Sequence, residues 1–416
     1  MIETKNSKVY FGNNLDVLPT LEDNSVDSIV TDPPYELGFM GKKWDNSGIA
    51  YNVELWKECL RVLKPGGHLL SFGGTRTWHR VAVAIEDAGF EVRDSIAWMY
   101  GSGFPKSLDV SKAIDKAAGA DREVVTETVS DLFGDREEEK QVTKARSTSG
   151  NSALPTVGGQ TVYKSWNETA PSTPEAEKWE GWGTALKPAF EPIVVARKPL
   201  IGTVDANVLE HGTGALNIDG SRIGTGEGVV TFDRTKRKEE GNAYDLGTVR
   251  GVKESGQGRW PANVILDEYS AGLLDEQSEA SRFFYCAKAS KSDRNEGLED
   301  LPDTHPSEIT GRKVGSAGAK NGGYAGMSET PRKNTHPTVK PTALMTYLVK
   351  LVTPPNGIVL DPFTGSGSTG KAAILEGFQF IGIELTEDYW PIIKGRLEHA
   401  ETQLTENQDK ANEALF

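Results

Sequence analysis

The chain has 416 residues, 37% of them hydrophobic, and a formal net charge of −14 at pH 7. That length allows a large core with sizeable insertions, but the acidic excess excludes a protein that coats nucleic acid by charge alone, because neutralising phosphates takes clustered Lys and Arg. A mean hydropathy of −0.45, the absence of any apolar run near the roughly 20 residues that span a bilayer and the polar start Met1-Ile2-Glu3-Thr4-Lys5 predict a soluble, cytoplasmic protein with no membrane partner.

Residues 8–100 alternate strand and helix signals. Lys8–Phe11 reads as a short strand ended by Gly12-Asn13-Asn14, and Ser28–Thr31 as a second. Val53–Leu63 has helical apolar spacing, which Lys64-Pro65-Gly66-Gly67 stops. His68–Phe72 is a third strand closed by Gly73-Gly74, followed by a helix over Trp78–Ala88 and a strand over Val92–Tyr100. Strands separated by helices imply a parallel sheet with crossovers. The rhythm dissolves at Gly101. Ser, Thr, Glu and Pro dominate 123–178, which predicts a solvated insertion, with a DNA-contacting loop as the alternative. Glu191–Ala196 is strand-like and is expected to return to the sheet edge. Residues 200–333 are irregular and glycine-rich, with short strands at Asn263–Leu266 and Phe283–Ala287. From Thr342 the rhythm resumes as helix Ala343–Val352, strand Gly357–Leu360, helix Gly370–Glu376, strand Phe378–Ile383 and helix Glu387–Thr402, before a polar tail.

Two motifs carry chemistry. Asp32-Pro33-Pro34-Tyr35 follows the second strand. An acid, two stiff prolines and an aromatic form a rigid cup with a planar face and inward acceptors, although Asp-Pro-Pro also closes ordinary turns. Downstream, Ile358-Val359-Leu360 runs into Asp361-Pro362-Phe363-Thr364-Gly365-Ser366-Gly367-Ser368-Thr369-Gly370, and Glu384 ends the next strand. The glycines permit a tight turn and close ligand approach, and the acid suits the hydroxyls of a ribose. Read alone, Gly365, Gly367 and Gly370 fit a dinucleotide fingerprint, which leaves a nicotinamide-dependent oxidoreductase open. Cys59 and Cys286 are too few for a disulfide framework or a cysteine-rich zinc site. His68, His79, His211 and His305 lack ligand spacing, so no metal is expected.

Taken together, Asp-Pro-Pro-Tyr at 32–35 and Asp-Pro-Phe-Thr-Gly-Ser-Gly at 361–367 resemble the DNA amino-methyltransferases, and their order resembles the circularly permuted beta class. The resemblance implies an α/β, Rossmann-like S-adenosylmethionine-dependent methyltransferase fold, circularly permuted around a large central insertion. Residues 1–100 then form the N-terminal half of the core and 334–402 its C-terminal half. Residues 101–333 hold target recognition, with 181–200 rejoining the core sheet, and 403–416 are tail. It implies catalytic roles for Asp32, Pro33, Pro34 and Tyr35, and cofactor contacts from Asn13, Lys340, Asp361, Phe363, Gly365, Ser366, Gly367 and Glu384. Thr335-His336-Pro337-Thr338-Val339-Lys340-Pro341 matches the segment that cradles the cofactor's methionine part in this family, and Lys340 is expected on the cofactor carboxylate. Gly181–Pro188 and Arg259–Asn263 are similar to stretches of phage and prophage methylases. One departure stands out: Gly12-Asn13-Asn14 replaces the usual Gly-Asp, so Asn13 is expected to meet the adenine edge through its amide.

The implied partner is DNA, as a duplex from which one base is flipped. Trp98, Tyr100 and Phe104 follow the strand where relatives shape the base site, with core packing the favoured role for Trp98, and Arg234–Lys238 reads as a solvated face with phosphate contact as the alternative. Neither cysteine follows a proline, which opposes C5-cytosine chemistry. Asp32 leans the reading to adenine N6, with cytosine N4 the alternative and a decayed DNA-binding protein a further one. A homodimer stays open, and no restriction partner is visible.

Overall fold

The computed structural model describes residues 1–38, 43–101, 103, 107–131, 137–141, 163–224, 258–278, 280–287, 292–305 and 332–413. Phe104 and Arg234–Lys238 lie outside the described residues. The chain divides into two compact units, Met1–Gly103 with Ala189–Phe416, and Phe104–Pro188.

Ten strands of the first unit make one sheet. In chain order they are β1 (Ile2–Glu3), β2 (Ser7–Phe11), β3 (Val26–Thr31), β4 (Leu63–Phe72), β5 (Glu91–Met99), β9 (Phe190–Arg197), β10 (Val264–Asp267), β11 (Tyr285–Ala287), β12 (Ile358–Asp361) and β13 (Gln379–Glu384), the numbers β6 to β8 belonging to the second unit. Their order across the sheet is β1-β2-β13-β12-β3-β4-β9-β5-β10-β11. Neighbours from β2 to β4 are parallel, whereas β9 runs antiparallel to both β4 and β5. The central strands are almost wholly buried because crossover helices cover both faces, as parallel sheets require. All six residues of β3 are buried.

The pairing of β12 with β3, Val359 opposite Ser28 and Leu360 opposite Ile29, joins the two ends of the chain in one sheet. Buried Asp27 reinforces it: Oδ2 accepts the Ile358 amide at 2.8 Å and Oδ1 meets Lys64 Nζ at 2.6 Å. After the short helix α1 (Asn14–Val17), helices α2 (Val53–Val62) and α3 (Trp78–Asp87) pack on one face. On the other lie the helix over Thr342–Val352 and the helices that follow β12 and β13 (Ser368–Leu375 and Trp390–Glu413). Asn52 caps α2 by accepting the Glu54 amide at 3.0 Å. No described helix is long and apolar enough to cross a membrane.

Three expectations need amendment. Glu191–Ala196 belongs to β9, which lies inside the sheet between β4 and β5 and not at its edge. Lys64-Pro65-Gly66-Gly67 ends the helix as expected but is a bulge within β4, since Leu63 pairs with Val26 and His68 already with Ser28. Asn207 Nδ2 and Thr213 Oγ1 both donate to the Pro65 carbonyl and hold the bulge in place. The last helix runs to Glu413, well into the stretch expected to be tail.

In the second unit, α4 (Val110–Ala118) and a short helix over Pro174–Lys178 accompany a three-stranded antiparallel sheet of β6 (Val124–Asp131), β7 (Glu137–Gln141) and β8 (Tyr163–Thr169). Buried Asp115 organises it, accepting the Ser172 and Thr173 amides at 3.0 Å each and Arg122 Nη1 at 2.6 Å. Strands there were not expected from so polar a composition; Val124, Val125, Thr126, Thr128 and Val129 supply the β-branched run that forms β6.

Trp56 is fully buried, donates Nε1 to the Ala50 carbonyl at 3.0 Å and lies 6.5 Å from the Phe363 ring. Trp56→Ala should lower stability by about 3–5 kcal/mol, seen as a reduced denaturant midpoint with an unchanged far-ultraviolet spectrum at low temperature.

Candidate active site

The candidate site forms where β12 and β3 end side by side. Strand order turns there, since the chain continues to β13 on one side and β4 on the other. Open α/β sheets bind ligands at such a point, beyond the carboxyl ends of the strands. Asp32 follows β3 directly and Asp361 ends β12. Thr31 Oγ1 donates to Asp361 Oδ1 at 2.6 Å and so ties one motif to the other.

At Asp32-Pro33-Pro34-Tyr35 one cation serves two acids. Lys340 Nζ lies 2.8 Å from Asp32 Oδ2 and 3.1 Å from Glu191 Oε2. Tyr35 Oη donates to Glu191 Oε2 at 2.7 Å and receives Lys340 Nζ at 3.1 Å. The Tyr35 ring is seated by Gly74, where a Cβ would come within 3.1 Å of it, and the Tyr35 carbonyl accepts Thr77 Oγ1 at 2.9 Å. Asp32 Oδ1, by contrast, is buried with no hydrogen-bond partner. Burial pushes the Asp32 carboxyl up; Lys340 pulls it back down, and the Glu191 charge adds to the rise. Burial would discharge Lys340, but Asp32 and Glu191 outweigh it and hold the ammonium above its ordinary value. Tyr35 is pushed well above the usual phenol range, first by burial and then by the same two carboxylates. The cluster therefore keeps a phenol and one ammonium beside its two acids.

The glycine loop is built as a rigid cradle. Asp361 Oδ1 accepts the Phe363 amide at 3.0 Å, and Oδ2 accepts Thr369 Oγ1 at 2.6 Å. Gly365 and Gly367 take φ values of +55° and +77°, which strain any side chain. A Cβ on Gly365 would lie 3.1 Å from His336 Nε2. His336 packs edge-on against Tyr389 at 4.5 Å and stacks with Trp44 at 6.4 Å. Burial lowers its pKa to about 3, so the ring is neutral. Beneath the loop, fully buried Arg396 donates to the Ser366 carbonyl at 3.0 Å, Ser366 Oγ at 3.1 Å and Ser368 Oγ at 2.9 Å. Asp293 lies 3.6 Å from the same guanidinium and 2.8 Å from Lys371 Nζ.

Glu384 closes the cradle. Its Oε2 accepts the Gly365 amide and its Oε1 the Thr386 amide, each at 2.7 Å. Burial raises its pKa, and these backbone donors partly reverse the rise. The Thr386 side chain adds a third bond to the carboxylate, and the remaining acceptor capacity suits a ribose hydroxyl. Gly12 N donates to the Glu384 carbonyl at 2.9 Å, and Asn14 Nδ2 to the Pro362 carbonyl at 3.3 Å, which brings Asn13 to the same loop. Asn13 Oδ1 caps the helix Asn14–Val17 by accepting the Leu15 amide at 3.0 Å, and its NH2 and the second lone pair of Oδ1 can still meet a ligand. These residues fit a nucleoside cofactor.

Asp32 to Tyr35 and Lys340 thus form one cluster, and Asn13, Asp361, Phe363, Gly365, Ser366, Gly367 and Glu384 form the adjacent cradle. Lys340 bonds the acids of the cup. Phe363 is half-buried against Trp56. Trp98 packs in the core with Phe72 at 6.5 Å and Tyr100 at 5.3 Å. Sequence reasoning missed Glu191, His336 as a loop wall, and the Arg396–Asp293–Lys371 support. An acid opening the apolar run Pro192–Ala196 was the available signal for Glu191. Among the described residues no group of His, Cys, Asp and Glu is arranged for a metal.

Burial lifts the Asp361 carboxyl to about 6, against offsetting bonds from Thr31, Thr369 and the Phe363 amide. A folded-state pKa above the unfolded value means that the native state loses stability as pH rises from about 4 to about 6, on the order of 3 kcal/mol for this group. Asp361→Asn keeps the Oδ1 acceptor and needs only the Thr369 hydroxyl to turn. Urea unfolding at a series of pH values should show Asn gaining on Asp by that amount across the window, and no relative gain would contradict the assignment.

The DNA methylase family, N6/N4 type, matches over residues 26–395. The type II methyltransferase M.HpaI of Haemophilus parainfluenzae is 36% identical over 109 residues, 25% of this chain and 35% of that protein. M.ScaI of Streptomyces caespitosus is 44% identical over 71 residues, 17% of this chain and 23% of its own. The DNA adenine methyltransferase YhdJ of Escherichia coli (strain K12) is 50% identical over 54 residues, 13% of this chain and 18% of that enzyme. The matches thus span about a third or less of these relatives. Among solved structures, the cytosine-N4-specific PvuII DNA methyltransferase aligns over 94% of this chain and 86% of its own, with TM-score 0.44 and 15% identity. With that family model spanning both motifs, the chain is a member of the N6/N4 DNA methylase family.

Proposed function

We propose that the protein transfers a methyl group from S-adenosylmethionine to the exocyclic amino group of a base flipped out of duplex DNA, adenine N6 by preference. The observation that carries this reading is Asp32 Oδ1, a buried acceptor without a partner on a rigid tetrapeptide beside the glycine cradle. Family membership supports the chemistry and removes the nicotinamide alternative. The motif order along the chain, cup first and cradle last, supports the circularly permuted class.

When bound, the cofactor supplies an electrophilic methyl group on a sulfonium. The protein's residues prepare the acceptor. An exocyclic amino nitrogen is a weak nucleophile because its lone pair is delocalised into the ring. Asp32 accepts one amino hydrogen and the Pro33 carbonyl the other, which draws the nitrogen towards tetrahedral geometry and localises the lone pair. Pro34 stiffens the turn, and Tyr35 offers its ring to the base as base-flipping enzymes require. Glu384 and the Gly365–Gly367 backbone hold the nucleoside end, with Asn13 NH2 and Phe363 beside it. Catalysis is then positioning plus electrostatics, with no covalent nucleophile. The adenine lean rests on Asp in the first motif position, and cytosine N4 is the alternative product.

Transfer of labelled methyl groups from S-adenosylmethionine to unmethylated bacterial DNA tests the reading. The wild type should label it, and Asp32→Ala should lower the rate at least about 100-fold. S-adenosylhomocysteine should raise the thermal midpoint of both proteins, whereas NAD should raise neither. A wild type that is stabilised by NAD, or that labels no DNA, would overturn it.

A further inference from the structure

We propose that Glu191 is a positioning residue of the catalytic cup: by taking the Tyr35 hydroxyl and a share of Lys340, it keeps Asp32 Oδ1 open to an amino hydrogen. The inference rests on the methyltransferase reading and adds to it a residue from outside both motifs. Glu191 enters through β9, an internal strand that runs against both of its neighbours. Because β9 is antiparallel, its start faces the rim where β3 and β12 end. That is why an acid at position 191 reaches a tetrapeptide 156 residues earlier in the chain.

One ammonium between two carboxylates is the key to the arrangement. Lys340 Nζ meets one oxygen of Asp32 and one of Glu191, at 2.8 and 3.1 Å. Without Glu191, a lone cation beside a buried carboxylate would settle on both oxygens of Asp32, the geometry that best repays its desolvation. Oδ1 would then be occupied. The Tyr35 hydroxyl would also lose its 2.7 Å acceptor, and the stacking ring would be free to turn. The groups facing Glu191 are Lys340, Tyr35, Asp32 and, more weakly, Tyr100, whose phenol burial and the Glu191 charge push up to about 12.

The sign of the effect follows. Glu191 carries a like charge towards Asp32, so removing it lowers the Asp32 carboxyl, and the closer Lys340 pairing moves it the same way. The test is carboxyl ¹³C titration of the full chain, with Asp32 identified by comparison with Asp32→Asn, in wild type and Glu191→Gln. Asp32 should titrate at lower pH in Glu191→Gln than in the wild type. DNA methylation by that variant should fall about tenfold, with S-adenosylhomocysteine affinity held within about twofold. Glu191→Asp, which keeps the charge, should leave the Asp32 titration near the wild-type value. An unmoved Asp32 titration, or loss of cofactor affinity equal to the loss of rate, would overturn the assignment. If Glu191→Gln does not fold, Tyr35→Phe with Glu191→Asp gives the same decision: the two losses of rate should be less than additive, and full additivity would contradict the shared bond. A wild type that methylates no DNA, with the Asp32 titration still moved by Glu191→Gln, would remove the methyltransferase reading and leave the cup's electrostatics standing.

Discussion

Everything at the site depends on two short parallel strands, β12 and β3, lying side by side. One comes from the beginning of the chain and the other from near its end, and only two residue pairs define their register. So brief a ladder is a weak tether by itself. Side chains lock it at both ends: Asp27 holds the start of β12 through the Ile358 amide, and Thr31 holds its end through Asp361. A one-residue slip would turn Asp361 away from Thr31 and place the glycine loop against the wrong face. The buried hydrogen-bond pair at the rim thus specifies register as well as adding stability.

The second constraint is electrostatic. The cup gathers two half-buried carboxylates and a half-buried phenol around a buried ammonium, an arrangement costly to desolvate and repaid only when each group finds partners. Lys340, Tyr35 and Glu191 satisfy one another almost completely, and the imbalance is concentrated on a single atom, Asp32 Oδ1. An unanswered buried acceptor is destabilising, at about 1–3 kcal/mol in typical cases. Folds retain such atoms where a ligand completes the bond. The cradle shows the opposite condition. Arg396, Asp293, Lys371 and Thr369 leave its loop little freedom, as suits a surface that must hold one shape.

Much of this was legible in the sequence, and for a physical reason. Strand β3, the Asp-Pro-Pro-Tyr turn, the glycine loop and Glu384 are local features whose residue types follow from backbone geometry and hydrogen-bonding capacity. The parallel sheet followed from the alternation of apolar strands with helices. Relations between distant segments were not legible. Nothing near Glu191 indicates that β9 enters the middle of the sheet, because an apolar strand of that composition suits an edge as well as a centre. Lys340 read as a cofactor contact from its motif, and only the folded chain brings Asp32 and Glu191 to it. Lys64-Pro65-Gly66-Gly67 read as a stop signal and is one for the helix, yet Asn207 and Thr213 draw it into a bulge of β4. The β-strands between 124 and 169 were hidden by polar composition, since threonine and valine at alternate positions are easily lost among Glu and Ser.

The central claim is that the cup and the cradle make one centre for methylating an amino group in DNA. Expressing the full chain in a host lacking DNA methylation, and reading that host's DNA by single-molecule sequencing, tests it most directly. A modified adenine in one defined sequence context is expected, absent when Asp32 is replaced by alanine. Unmodified adenine and cytosine throughout the DNA, from cells containing folded protein that binds S-adenosylhomocysteine, would contradict it.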